Sequence, residues 1–111
     1  MQETLHELEA LLRRHGCVLQ ANVVEMTRGA LPSRARLRAI LASDDWWGSE
    51  DSVAEVDPAI RGGFTPEARR DARRLRELLL AVHDFMRREG IEQPVAALLC
   101  AEFRKWLASS L

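Results

Sequence analysis

The sequence predicts an all-α, single-domain bundle of four main helices plus a short helical turn, with a long helix in the C-terminal half as its spine. Three observations carry this. Helix-start signals recur at Thr4, Ser52 and Thr65. Leu and Ala recur at steps of three and four residues, the spacing of one helix face. β-Branched residues are few, and no stretch alternates apolar with polar as a half-buried strand does.

The elements follow in order. Thr4-x-x-Glu7 reads as a capping box, Leu5, Leu8, Leu11 and Leu12 form one stripe, and Gly16 closes the helix after Arg13 and Arg14. Val18 to Met26 is apolar on more than one side, which suits a short, largely buried helix ending near Gly29, with a strand as the alternative. Pro32 at a first turn and Leu37, Ile40 and Leu41 on one face predict a third helix that runs on through Trp46 and Trp47 and stops at Gly48. Ser52-x-x-Glu55 is a second capping box for a short turn, and Asp57-Pro58 and Gly62-Gly63 then break the chain.

Thr65-Pro66-Glu67 starts the longest helix, predicted to reach Glu89 with Gly90 as its cap and Ile91 in the hydrophobic position of a Schellman motif. Ala68, Ala72, Leu75, Leu79, Val82 and Met86 step along it like a coiled-coil seam, which either packs inside the monomer or joins two copies. Pro94 opens the last helix, carrying Val95, Leu98, Leu99, Phe103, Trp106 and Leu107.

Composition bounds the class. With 111 residues, 47% hydrophobic and 30% charged, the chain matches one globular domain. Its start lacks the basic lead-in and apolar run of a signal peptide, and no run approaches the ~20 apolar residues that cross a bilayer. Cys17 and Cys100 sit in apolar contexts without metal-ligand spacing and read as buried thiols of a cytoplasmic protein, with a disulfide between them as the alternative.

The segment from Asp44 to Glu55 is the least ordinary part of the chain. It sets Trp46 and Trp47 beside Asp44, Asp45, Glu50 and Asp51. On a helix, neighbouring side chains point about 100° apart, so the sequence predicts one Trp as a core plug, Trp47, and one near the surface, Trp46, as a contact residue. Trp47-Gly48 and Ser52-Val53-Ala54-Glu55 resemble a motif of a family of small bacterial helical domains of unknown function, in which W-G-G-x-G-S leads into an aliphatic residue and an acid. Ser49 and Asp51 stand where that pattern tends to have Gly, and Glu55 where it tends to have Asp. The resemblance covers about ten residues and, beyond them, helix order alone. It implies a fold and no activity.

Charge is segregated although the net is −1. Residues 39 to 60 hold six acids and no base, while residues 61 to 76 hold six Arg and two acids, so the acidic connection is expected to fold back on the basic first half of the long helix. Arg69, Arg70, Arg73, Arg74 and Arg76 also have acids at helix spacing in Glu67, Asp71 and Glu77. Left open, and joined by Arg34, Arg36 and Arg38, they would form a patch for an anionic partner. A pI near 6.3 and a single Lys disfavour a general nucleic-acid binder.

No spacing supports a catalytic, cofactor or metal site. Read as a calcium loop from Asp44, the segment places Glu55 at the twelfth position, but Trp46 occupies a ligand position and Ser49 the turn Gly. His6, His15 and His83 share no ligand spacing and read as surface or helix-end residues. The function expected is a non-catalytic protein-interaction domain acting on another protein or on a second copy of itself, with a homodimer slightly favoured. A nucleic-acid accessory role through the Arg patch is the alternative.

Overall fold

Helix formation begins at Gln2, two residues before the expected cap. The computed structural model describes residues 1–109. Among them the order is α1 (Gln2–Arg14), α2 (Val18–Ala30), α3 (Arg34–Leu41), a 3-10 turn (Val53–Glu55), α4 (Pro58–Arg61), α5 (Pro66–Arg88) and α6 (Pro94–Ser109), with no strand. The bundle is all-helical as expected, with six α-helices in place of four main ones. No helix of the described residues is long and apolar enough to cross a membrane.

The 23 residues of α5 span about 35 Å at ~1.5 Å each, nearly the 39 Å long dimension of the molecule. It is the spine, and α1, α4 and α6 pack on it, while α2 covers α1 and carries α3. The whole seam from Ala68 to Met86 is buried within the chain. That removes the seam as a dimer surface.

Helix ends follow the sequence where the cap depends on adjacent residues. At the end of α1, Cys17 N–H donates to Leu12 O at 2.9 Å and Gly16 N–H to Arg13 O at 3.0 Å, with Gly16 at φ 73°. The end of α5 repeats this Schellman pairing. Ile91 N–H donates to Met86 O and Gly90 N–H to Arg87 O, and Ile91 is buried. Thr65 Oγ1 accepts from Ala68 N–H at 3.1 Å, as a cap before Pro66 should.

Other ends differ, each for a non-local reason. The Thr4 box does not form: Met1 packs against the core and serves as N-cap of α1 without a side-chain bond, so Thr4 lies inside the helix. Helix α2 reaches Ala30 but is not largely buried, since only Ala21, Val24, Thr27 and Ala30 are fully buried, Val23 is partly so, and Val18, Leu19 and Met26 are exposed. Asp57 does not break the chain; its carboxylate accepts from Ala59 N–H and caps α4. Gly62 is required where α4 meets α5, because a Cβ there would lie 2.4 Å from Ala68 Cβ.

The largest correction concerns the two Trp. Helix α3 stops at Leu41 instead of running on through them, and both Trp46 and Trp47 are 0% exposed. Trp47 Nε1–H donates to Leu41 O at 3.0 Å, so the indole satisfies a carbonyl left open at the helix end. Trp46 Nε1–H donates to Thr27 Oγ1 at 3.0 Å, and the Thr27 hydroxyl donates in turn to Val23 O. Outside a helix, adjacent side chains are not held 100° apart, and the two rings lie 6.1 Å apart at 31°.

Ion pairs add a second tie between α1 and α2. Glu9 bonds both Arg13 and Arg28, at 3.0 and 2.7 Å. Burial pushes the Glu9 pKa up, yet the hydrogen bonds from Arg28 and Arg13 outweigh it and hold the carboxyl below its ordinary value.

Because both indoles are buried and hydrogen-bonded, Trp46→Ala and Trp47→Ala should each lower stability by ~3 to 5 kcal/mol, as large-to-small core changes do. Chemical denaturation of the two single variants checks this, and near-native stability in either would contradict its burial.

Candidate functional site

Burial of the two Trp leaves the carboxylates of residues 44 to 55 as the outward content of the segment. Val53 N–H donates to Asp45 O and Ala54 N–H to Trp46 O, each at 3.0 Å, so the 3-10 turn is pinned directly behind the indoles. Gly48, at φ 93°, lets the chain reverse between them, and a Cβ there would press on Val95 at 3.1 Å. Ser49 Oγ–H donates to Asp44 O, and Gln20 reaches across from α2 to donate to Asp51 O at 2.9 Å. The result is a fixed loop with its acids on the outside.

Asp44, Asp45, Glu50, Asp51 and Glu55 are all exposed, and none makes an ion pair among the described residues. The expected fold-back onto the basic half of α5 is therefore limited to Asp57, whose carboxylate lies 3.7 Å from Arg76. Beside the acids runs a groove of about 290 Å³ between the start of α2 and α4, where Glu50, Asp51 and Glu55 face Gln20, Ile60 and Arg61. Ile60 is 64% exposed, and Leu19, next to Gln20 on α2, is 69% exposed.

Ser52 does not cap the turn. Of the amides that its hydroxyl would serve, Ala54 N–H donates to Trp46 O and Glu55 N–H to the Ser52 carbonyl, and Ser52 Oγ is buried without a partner. No group of His, Cys, Asp and Glu among the described residues could hold a metal ion.

The five Arg expected to form a patch for an anionic partner are mostly committed elsewhere. Arg74 grips Glu7 of α1 with two bonds of 2.6 and 2.8 Å and also reaches Glu77. Arg73 lies 3.8 Å from Glu77 and donates to Leu107 O. Arg76 stacks 4.2 Å over Trp106 and donates to Ala72 O; burial lowers its pKa while Asp57 opposes. Asp71 is no local partner of these Arg, since it pairs with Arg14 at the end of α1 and with His15 just after it. Arg69 and Arg70 are exposed and make no ion pair among the described residues.

Two expectations about lone residues separate here. Cys17 and Cys100 are free and buried, and desolvation pushes the Cys100 thiol up to about 11 and Cys17 upward as well, so neither is a ready nucleophile. His83, expected at the surface, is only 7% exposed, edge-on to Trp47 at 6.3 Å, with a buried Nδ1 that has no hydrogen-bond partner. Sequence spacing among the three His could not reveal this; its place next to Val82 in the seam was the available signal.

Comparison with known proteins finds no matching family model, no matching curated protein and no matching solved structure. The local likeness around Gly48 is thus not accompanied by a family match.

Since Ser52 Oγ is buried and idle, Ser52→Ala removes an unsatisfied polar atom at nearly constant shape. The denaturation midpoint should stay level or rise, and a loss of about 1 kcal/mol would show that the hydroxyl is bonded after all.

Proposed function

We propose that the protein is a non-catalytic interaction domain whose acidic loop and adjoining groove receive a basic, amphipathic segment of another protein. The observation that carries this is the set of five exposed carboxylates between Asp44 and Glu55, held on a fixed loop and left without ion pairs, beside a groove lined by Val56 and exposed Ile60. Unpaired like charges on a rigid surface repel one another and are relieved by a partner of opposite sign. The apolar side chains at the groove supply the desolvated part of such a contact. A cationic helix with an apolar stripe matches both.

The same face repels nucleic acid. With Arg73, Arg74 and Arg76 engaged inside the molecule, Arg69 and Arg70 alone give little counterion release, so the nucleic-acid reading has the weaker support. A homodimer also loses its original motive, because the seam lies inside the chain and the acidic faces of two copies would repel.

The test is affinity capture from the source cells with the native chain and with a variant carrying Asp44→Asn, Asp45→Asn, Glu50→Gln and Asp51→Asn, followed by affinity measurements on the purified captured protein at several salt concentrations. At ~0.3 to 1 kcal/mol for each of the four rim charges, the variant should bind about 10- to 1,000-fold more weakly, and salt should weaken native binding. A captured partner whose affinity ignores both the variant and salt would contradict the proposal.

A further inference from the structure

A cleft of about 610 Å³ lies where α5 ends and α6 begins, lined by His83, Arg87 and Ile91 on one side and Pro94, Ala97 and Arg104 on the other. We propose that this cleft binds a small organic carboxylate, its carboxyl group held by Arg87, Arg104 and His83 and its apolar remainder laid along Ile91, Pro94 and Ala97.

The polar end of the cleft is built from two facing helix rows. His83 and Arg87 are four residues apart on α5, and Ala97 and Arg104 are seven apart on α6, so each pair shares a helix face. Arg87 is exposed and makes no ion pair among the described residues. Arg104 has Asp84 at 3.6 Å, a loose contact between side chains that are each about half exposed. Glu92 is the lining carboxylate. Two positive side chains and one negative leave one net positive charge in the lining, which suits a monoanion.

His83 is the feature that a purely structural cleft does not need. It is more than nine-tenths buried, makes no hydrogen bond among the described residues, and keeps Nδ1 sealed inside the fold. Burial, with help from Arg104 and Arg87 and against Asp84, lowers its pKa, so the ring is neutral near pH 7. A neutral imidazole carries one N–H, and a buried orphan N–H is more costly than a buried lone pair. The proton therefore sits on Nε2, the nitrogen not sealed inside, as a donor for an anion in the cleft.

The α6 N-terminus supplies no ligand bonds of its own. Gln93 Oε1 already accepts from the amides of Val95 and Ala96, and Gln93 O accepts from Ala97 N–H. Recognition rests on the side chains. Ile91, Pro94 and Ala97 give the cleft an apolar wall that an inorganic anion would leave uncovered.

The test is NMR titration of the full chain with sodium hexanoate, with inorganic phosphate as a parallel arm. Hexanoate should give saturable shifts in the His83 ring and at Arg87, Ile91, Ala97 and Arg104. Arg87→Gln and Arg104→Gln should each weaken binding about tenfold, the loss of one charge-assisted contact, while leaving the unfolding midpoint unchanged. The His83 ring signal in the native chain reports its part without a core substitution. Phosphate binding as tight as hexanoate would overturn the assignment of the apolar wall. No saturable shift with hexanoate, or shifts that persist undiminished in both Arg variants, would overturn the site.

Discussion

The buried hydrogen bonds of two adjacent indoles set the shape of this molecule's N-terminal half. A Trp ring brings a large apolar surface into the core but also an N–H that must be bonded there. Thr27 on α2 and Leu41 O at the end of α3 are the acceptors, so residues 46 and 47 have to leave the helix and turn between those two elements. The Asp45 and Trp46 carbonyls then take the amides of Val53 and Ala54, which closes the loop behind the rings. Each indole is worth several kcal/mol of burial, whereas the surface ion pairs of α1 and α5 are worth about 0 to 1 kcal/mol each. Packing of the Trp pair, not charge pairing, decides where the acidic connection lies.

That decision separates the two charged surfaces. With its apolar groups drawn inward, the loop shows its carboxylates, and Arg61, which shares their groove, donates to His15 O and forms no ion pair with them. Arg73, Arg74 and Arg76 of α5 are held by Glu77 on the same helix and by Glu7, Asp57 and Trp106 elsewhere. An acidic face whose five exposed carboxylates make no ion pair among the described residues thus coexists with an Arg-bearing cleft at the α5–α6 junction. The two proposed sites would suit partners of opposite charge.

Features set by neighbouring residues were legible in the sequence. Gly16, Thr65-Pro66 and Gly90-Ile91 need only local geometry to act, and they cap the helices as expected. The seam of α5 was legible too, because its period belongs to one helix. Ser52 and Thr4 were not: their capping roles were displaced by the Trp46 and Ser52 carbonyls and by the packing of Met1, neither of which spacing reveals. The exposed position assigned to Trp46 assumed a helix that ends five residues earlier. The cleft at His83 depends on Arg104 arriving from a different helix, and a single sequence offers no sign of that meeting.

Hydrogen exchange of the indole N–H protons, followed by NMR, tests the buried Trp pair most directly. Trp106 is 39% exposed and provides an internal reference that should exchange early. The Trp46 and Trp47 protons should exchange only through global unfolding, at the rate of the slowest core amides. Early exchange of the Trp46 proton, comparable to that of Trp106, would contradict its bond to Thr27 and return that ring to the surface.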